Sequence, residues 1–126
     1  MPKLKSETTD LERANYIEAA LDMDHLLGNA ISMLTTRRNA IADAVETLAI
    51  NVQIPSLVAQ QATIRAELAA FLADATAINP LTQEQVEVIK GRSEGLDAMI
   101  ANAQNANSIL VLVTAAANEW NNSRSA

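Results

Sequence analysis

The chain has 126 residues, carries a net charge of −6 and contains no cysteine. This length suffices for one domain with a buried core, and the lack of cysteine excludes disulfides, thiolate metal sites and a cysteine nucleophile. Hydrophobic residues make up 49% of the sequence but aromatic residues only 2%, so aliphatic side chains must form the core. Because only three Gly and three Pro are present for turns, the composition predicts an all-α fold.

Charge and hydropathy argue against nucleic-acid and membrane functions. The basic residues are scattered along an acidic chain, which phosphate backbones repel unless a basic face is segregated. The longest apolar run, residues 109–117, is far shorter than the ~20 residues that cross a bilayer. The N-terminus also lacks the apolar stretch of a signal peptide. We expect no nucleic-acid partner and no membrane span, and a soluble, cytoplasmic or particle-associated chain rather than a secreted one.

The first predicted helix covers residues 9–50 and follows a flexible, polar lead of residues 1–8. Thr9 and Glu12 form a capping-box pattern, in which each side chain satisfies a backbone amide of the other residue. Across the segment, apolar residues recur at spacings of three and four, which is the period of a helix in a bundle.

The second predicted helix covers residues 55–79. Pro55 disfavours helical geometry at Ile54 and suits the first turn of a new helix, so the pattern places a break in front of it. The same apolar period continues to the end of this segment, which is the shortest of the three.

The third predicted helix covers residues 82–124 and begins with a capping-box pattern at Thr82 and Gln85. Together the three segments predict a single helical domain over residues 9–124, followed by a short tail at 125–126.

The unequal lengths of the three segments carry a prediction about assembly. At 1.5 Å rise per residue, the outer helices would be about 63 Å long and the middle one about 38 Å. Short connections favour an antiparallel up-down-up bundle, in which one apolar end of each outer helix projects past the middle helix. The projecting residues are the predicted interface: Leu11, Ile17, Leu21, Ile109, Leu110, Leu112, Val113 and Trp120.

Something must cover these ends, because burying several large aliphatic side chains is worth about 10 kcal/mol. In one hypothesis, a second copy related by a two-fold axis perpendicular to the helices covers them. In the alternative, the long helices break at Gly28 and near Asn105 and fold back, which gives a bundle of four or five helices.

Three charged residues fall at apolar positions of the stripes, namely Asp24, Arg38 and Arg92. Charges at such positions can pair across helices and fix the register of a bundle, and we predict this role for all three. An alternative is an anion-binding pocket formed by Arg37, Arg38 and Arg92.

The only histidine, His25, lies three residues after Asp22. This spacing resembles half of the carboxylate–histidine motif of di-metal bundles, but no second motif exists. A single metal ion would need a further carboxylate from another helix, such as Glu94 or Asp97. A partly solvated helix face is the simpler interpretation. Because the chain also lacks a Gly-rich phosphate loop, we predict no catalytic, cofactor or metal site.

The sequence therefore predicts a non-enzymatic structural or interaction protein that forms a homodimer or higher oligomer through its apolar helix ends. A small subunit of a larger assembly, such as a viral or phage particle, fits this prediction. The alternative is a helical adaptor or secretion-type chaperone that binds a partner helix in an apolar groove. A third hypothesis is a small-molecule or anion sensor that uses the arginine cluster.

Overall fold

The computed structural model describes residues 2–40, 43–99 and 106–124. Most of these residues belong to four α-helices, α1 (Asp10–Ala40), α2 (Ala44–Leu72), α3 (Gln83–Met99) and α4 (Ala106–Arg124). A 3₁₀ turn at Lys5–Glu7 precedes α1, and the described residues form no β-strand. The prediction of an all-α helical bundle is confirmed.

Two helices begin at the capping boxes that the sequence predicts. At the start of α1, the Thr9 amide donates to Glu12 Oε1 at 2.9 Å, and the Glu12 amide donates to Thr9 Oγ1 at 3.1 Å. At the start of α3, the Thr82 amide donates to Gln85 Oε1 at 2.9 Å, and the Gln85 amide donates to Thr82 Oγ1 at 3.2 Å. Each pair satisfies two amides that have no partner within the helix.

The first helix is shorter than predicted, and the second is longer. α1 ends at Ala40, and α2 begins at Ala44. Asp43 caps α2, because its carboxylate accepts hydrogen bonds from the amides of Val45 at 2.9 Å and Glu46 at 3.2 Å. This cap, rather than Pro55, marks the start of the second helix.

Pro55 lies inside α2, so the predicted boundaries at residues 50 and 55 are wrong. A proline in a helix interior costs about 3 kcal/mol, because it removes one hydrogen bond and crowds the preceding turn. The helix continues because four large side chains, at positions 50, 57, 64 and 71, are buried along one side of it. Burial of each is worth ~1.5–3 kcal/mol, which offsets the local cost of the proline.

Gly28 does not break α1, which runs without interruption from Asp10 to Ala40. A Cβ atom at this position would lie 3.2 Å from Nε2 of Gln61 on α2. The same Gln61 amide donates to the backbone carbonyl of Asp24 at 3.1 Å. Gly28 therefore allows α1 and α2 to approach closely, and it does not cap a helix end.

The predicted third helix, residues 82–124, is divided into α3 and α4, which pack against each other. The predicted arrangement of two long outer helices and a shorter middle helix is therefore wrong. A Cβ atom at Gly95 of α3 would lie 3.8 Å from the Leu112 side chain of α4. On one straight helix these residues would be about 25 Å apart. α3 ends at Met99 and α4 begins at Ala106, and Asn105, near which the alternative placed a break, lies outside the described residues. Fold-back keeps the apolar residues of α4 inside the chain.

Contacts between helices fix their relative directions. Arg37, near the end of α1, pairs with Glu46, near the start of α2, whereas Tyr16 bonds to Glu67 near the end of α2. These two helices are therefore antiparallel. The side-chain amide of Asn15 donates a hydrogen bond to the backbone carbonyl of Leu81, just before α3. Further along α1, His25 contacts Asp97 of α3. α3 therefore runs parallel to α1.

The residues predicted to form a flexible lead are hydrogen-bonded to the connection between α2 and α3. Lys3 and Ile78 exchange two backbone hydrogen bonds, at 2.7 and 2.9 Å. The Lys5 ammonium donates to the Leu72 carbonyl at 3.2 Å, and the Ser6 amide donates to Asp74 Oδ1 at 3.0 Å. This segment therefore fastens the start of α1 to the far end of α2.

α1 is the central helix and supplies the largest share of the core. Its buried apolar residues are Tyr16, Ala19, Ala20, Met23, Leu26, Leu27, Ala30 and Leu34. α2 buries only one large side chain in seven, namely Ile50, Leu57, Ile64 and Phe71. α3 and α4 pack on each other and on α1, whereas α2 packs mainly on α1. Among the described residues, much of the α2 surface is thus without a neighbouring helix.

Candidate interaction surface

The outer face of α2 is an apolar stripe that points away from α1. Its residues alternate at spacings of three and four over four helical repeats, and all are exposed: Val45, Leu48, Val52, Pro55, Ala59, Ala62, Ala66 and Ala69. The exposed fractions are 79% for Val45, 66% for Leu48 and 63% for Val52. This spacing is the heptad pattern by which helices pair. The stripe lies opposite the residues that are buried on α1.

The charged residues of α2 bond to α1 and none of them lies on the outer stripe, although Arg65 is exposed at its edge. The helix contains three charged residues, and each bonds to a residue of α1. Glu46 accepts from Arg37 Nε at 2.9 Å, Arg65 Nε donates to Asp24 at 2.5 Å, and Tyr16 donates to Glu67 at 2.6 Å. A helix with one solvent-exposed side normally places its charges on that side. The reversed arrangement leaves the outer face of α2 without any charge.

A groove of about 510 Å³ lies beside this face, between α2 and α4. Its apolar lining includes Met23 of α1, Leu57 and Ile64 of α2, and Val113 and Trp120 of α4. No charged residue is among the described residues that line the groove, and the polar part of the lining consists of hydroxyl and amide side chains: Gln53, Ser56, Gln60, Thr63, Thr114, Asn118 and Asn121. The volume falls in the range of ligand sites. The groove is a second place where an uncharged partner could bind.

The predicted interface residues fall into two groups. Leu11 and Leu21 on α1 are 65% and 54% exposed, and Ile17 is half-buried. On α4, Leu110 and Leu112 are half-buried, whereas Ile109, Val113 and Trp120 are buried. The α4 residues pack within the chain, so they do not form the projecting end that the three-helix arrangement predicted.

Two of the three predicted register residues link α1 to α2. Asp24 binds Arg65, and Arg38 donates to Asn51 Oδ1 at 3.1 Å. Arg92 lies half-buried on α3, and among the described residues it makes no ion pair.

The predicted anion pocket of Arg37, Arg38 and Arg92 is not formed. Arg38 lies 13 residues beyond His25 on α1, which is about 20 Å. Arg92 precedes Asp97, and Asp97 meets His25. Because α3 runs parallel to α1, Arg92 lies on the opposite side of His25 from Arg38. The pocket hypothesis is therefore wrong.

His25 does contact Asp97, one of the two carboxylates that the sequence analysis named. Its Nε2 atom lies 3.2 Å from both Asp97 carboxylate oxygens and 3.0 Å from Asn29 Nδ2, which also donates to Asp97. Within the described residues, no group of three or more metal-ligating side chains has the geometry of a metal site. This contact between α1 and α3 is an exposed polar cluster.

Asp22, which precedes this cluster on α1, has a carboxylate oxygen that is buried without a partner among the described residues. Burial raises the pKa of Asp22, and the neighbouring Glu18 and Glu94 carboxylates raise it further, against Lys90 and His25. Ionised Asp22 is therefore a local cost to the fold at neutral pH.

The sequence analysis did not assign the exposed alanines of the α2 outer face, Ala59, Ala62, Ala66 and Ala69, to an interaction surface. The 3-4 spacing of apolar residues continues without interruption from Val45 to Ala69, and this signal is visible in the sequence. The break assigned in front of Pro55 cut the stripe into two parts. The large buried residues after the proline, Leu57, Ile64 and Phe71, face α1, so the exposed alanines were not assigned to a surface.

Comparison of the chain with protein-family models, curated proteins and solved structures gives no significant match. No helix among residues 2–40, 43–99 and 106–124 combines the length and apolarity that crossing a bilayer requires. A function for this chain can therefore be inferred only from its own geometry.

Proposed function

We propose that this chain is a non-enzymatic interaction protein that self-associates through the outer face of α2. The observation that supports this most directly is the exposure of Val45, Leu48 and Val52, which lie one helical turn apart on a surface without charge. Large apolar patches of this kind mark interaction sites on folded proteins. The proposal keeps the self-association that the sequence predicts, and it moves the contact from the helix ends to α2.

The expected affinity follows from the size of the patch. Burial of three large aliphatic side chains per copy contributes about 5–9 kcal/mol on each side of the contact. Association costs about 4–15 kcal/mol in lost freedom of motion. The balance is a complex of modest stability, so the oligomer should grow with protein concentration.

The test is the molar mass of the purified chain, measured by light scattering or sedimentation across a wide range of concentrations. We expect a mass above that of one chain at high concentration, and a return to one chain for the Leu48→Glu/Val52→Glu double variant. Ser32→Glu, which adds a charge at an exposed position of α1, is the matched control and should keep the wild-type mass. A wild-type mass of one chain at every concentration would refute the proposal.

A second candidate function is the binding of a partner helix in the groove between α2 and α4. The uncharged lining of this groove and its volume favour it. Trp120, the only tryptophan, lines the groove and would report entry of a ligand through its fluorescence. A hydrophobic dye should alter the Trp120 emission, and Ala117→Phe, which fills the groove from α4, should prevent this. If the double variant of the outer face abolishes dye binding and Ala117→Phe does not, the groove plays no part.

A further inference from the structure

The outer face of α2 changes in size along its length. Its first half carries the larger residues Val45, Leu48, Val52 and Pro55. Its second half carries only alanine, at positions 59, 62, 66 and 69. All eight are exposed, so this taper is a property of the surface that a partner would meet.

A tapered surface of this kind matches a reversed copy of itself. If two α2 helices pair in parallel, large residues meet large residues at one end, and Ala meets Ala at the other. The helix axes would then have to diverge, because the interaxial distance depends on the side chains at the contact. If the helices pair antiparallel, every large residue meets an Ala and the distance stays constant. Antiparallel pairing also brings opposite ends of the helix dipoles together.

We propose, on the basis of the self-association above, that two copies pair antiparallel through their α2 outer faces, with Leu48 of one copy opposite Ala66 of the partner subunit. The same register sets Val45 opposite Ala69, Val52 opposite Ala62 and Pro55 opposite Ala59. It places each of the four larger residues against an alanine. If each residue instead faced the partner residue seven positions further towards the C-terminus, Val45 would have no opposing residue on the stripe.

The resulting contact is symmetric. The two-fold axis passes level with Leu57, so each half of the interface repeats the other, as in a closed dimer. The positions that flank the stripe also tolerate this contact, since Arg65 is the only charged residue among them and it is bound to Asp24. A second copy of this chain therefore satisfies both the shape and the charge of the surface.

Disulfide trapping tests the orientation, because the natural chain contains no cysteine. Leu48→Cys and Ala66→Cys chains are co-expressed, purified in reductant and then oxidised. In the proposed register these two positions face each other at a distance that a disulfide can span, whereas two Leu48→Cys residues lie about 27 Å apart along the axis. We expect the mixed disulfide to form, and the Leu48→Cys chain alone to stay unlinked. Val52→Cys with Ala62→Cys provides an independent pair for the same register.

The outcomes separate this inference from the proposed function. If the wild-type chain shows a two-chain mass but Leu48→Cys links to itself, the antiparallel orientation is overturned and self-association stands. If the mass is that of two chains and neither mixed pair links, the antiparallel register is wrong and the inference fails, whereas the mass of the Leu48→Glu/Val52→Glu variant still decides whether the α2 face makes the contact. If the mass is that of one chain at every concentration, both proposals fail together.

Discussion

The hydroxyl group of Tyr16 donates a hydrogen bond of 2.6 Å to Glu67 Oε1, and it does so where the three aromatic residues of the chain meet. The Tyr16 ring packs edge-on against Phe71, with centroids 4.8 Å apart, and lies 5.9 Å from the Trp120 ring. A single fully buried side chain thus joins α1 to α2 and α4.

Replacing Tyr16 with Phe should lower the free energy of unfolding by about 1.5–3 kcal/mol, because a hydrogen bond to a carboxylate is lost while the ring packing is kept. Denaturant unfolding followed by Trp120 fluorescence measures the change. Tyr16→Leu is the comparison variant, and it should cost more because the ring contacts also disappear. No loss for Tyr16→Phe would show that the hydroxyl group contributes nothing, whereas equal losses for the two variants would show that the ring contacts add nothing to stability.

Replacing Asp22 with Asn should raise stability at neutral pH. The raised pKa of Asp22 means that the folded chain favours the protonated form. Its contribution to stability is present below the unfolded pKa, and it is lost as pH rises through the higher folded pKa. The gain from Asp22→Asn should therefore be largest near pH 7 and shrink in acid. Thermal unfolding at several pH values measures this, and a gain that is independent of pH would contradict the electrostatic cause.

Replacing Pro55 with Ala should stabilise the chain by about 1–3 kcal/mol, since the new amide can donate to the Asn51 carbonyl and the ring no longer crowds the helix. Pro55 is exposed, so no core contact is lost. Thermal unfolding at a concentration where the chain is monomeric measures the effect. A loss of stability would mean that a bend at Pro55 is needed for α2 to follow α1.

The ion pair between Asp24 and Arg65 should contribute little to the free energy of unfolding, because exposed pairs are screened by water and salt. The Arg65 side chain is 63% exposed. A double-mutant cycle with Asp24→Asn and Arg65→Gln, repeated at low and high salt, measures the coupling. A coupling that is large and insensitive to salt would be inconsistent with this screening.

Local signals in the sequence were sufficient for some parts of the fold. The capping boxes at Thr9 and Thr82 mark real helix starts, because a cap depends on residues three positions apart. The all-α class also followed from composition. The contact between His25 and Asp97 was among the pairings that the sequence allowed, although a sequence alone does not determine which carboxylate lies nearby.

Other parts of the fold depend on packing between distant residues. Pro55 and Gly28 are local signals for a break, yet both lie inside helices because α1 and α2 pack along their whole length. The start of α2 is set by the Asp43 cap, which the sequence analysis did not assign. With the observed helix boundaries, no apolar helix end among the described residues projects as the three-helix arrangement predicted. The apolar surface without a neighbouring helix in this part of the chain lies on α2 instead.

The backbone hydrogen bonds between Lys3 and Ile78 connect the start of α1 to the segment that follows α2, at the open end of the α1–α2 hairpin. Only two backbone hydrogen bonds hold this pairing, so it should open more easily than the continuous hydrogen-bonded backbone of a helix, even though the Ile78 side chain is buried. The amides of Lys3 and Ile78 should therefore exchange with deuterium before those in the middle of α1. A pulling force applied at the N-terminus would act on the hydrogen bonds between Lys3 and Ile78 before it acted on the helices.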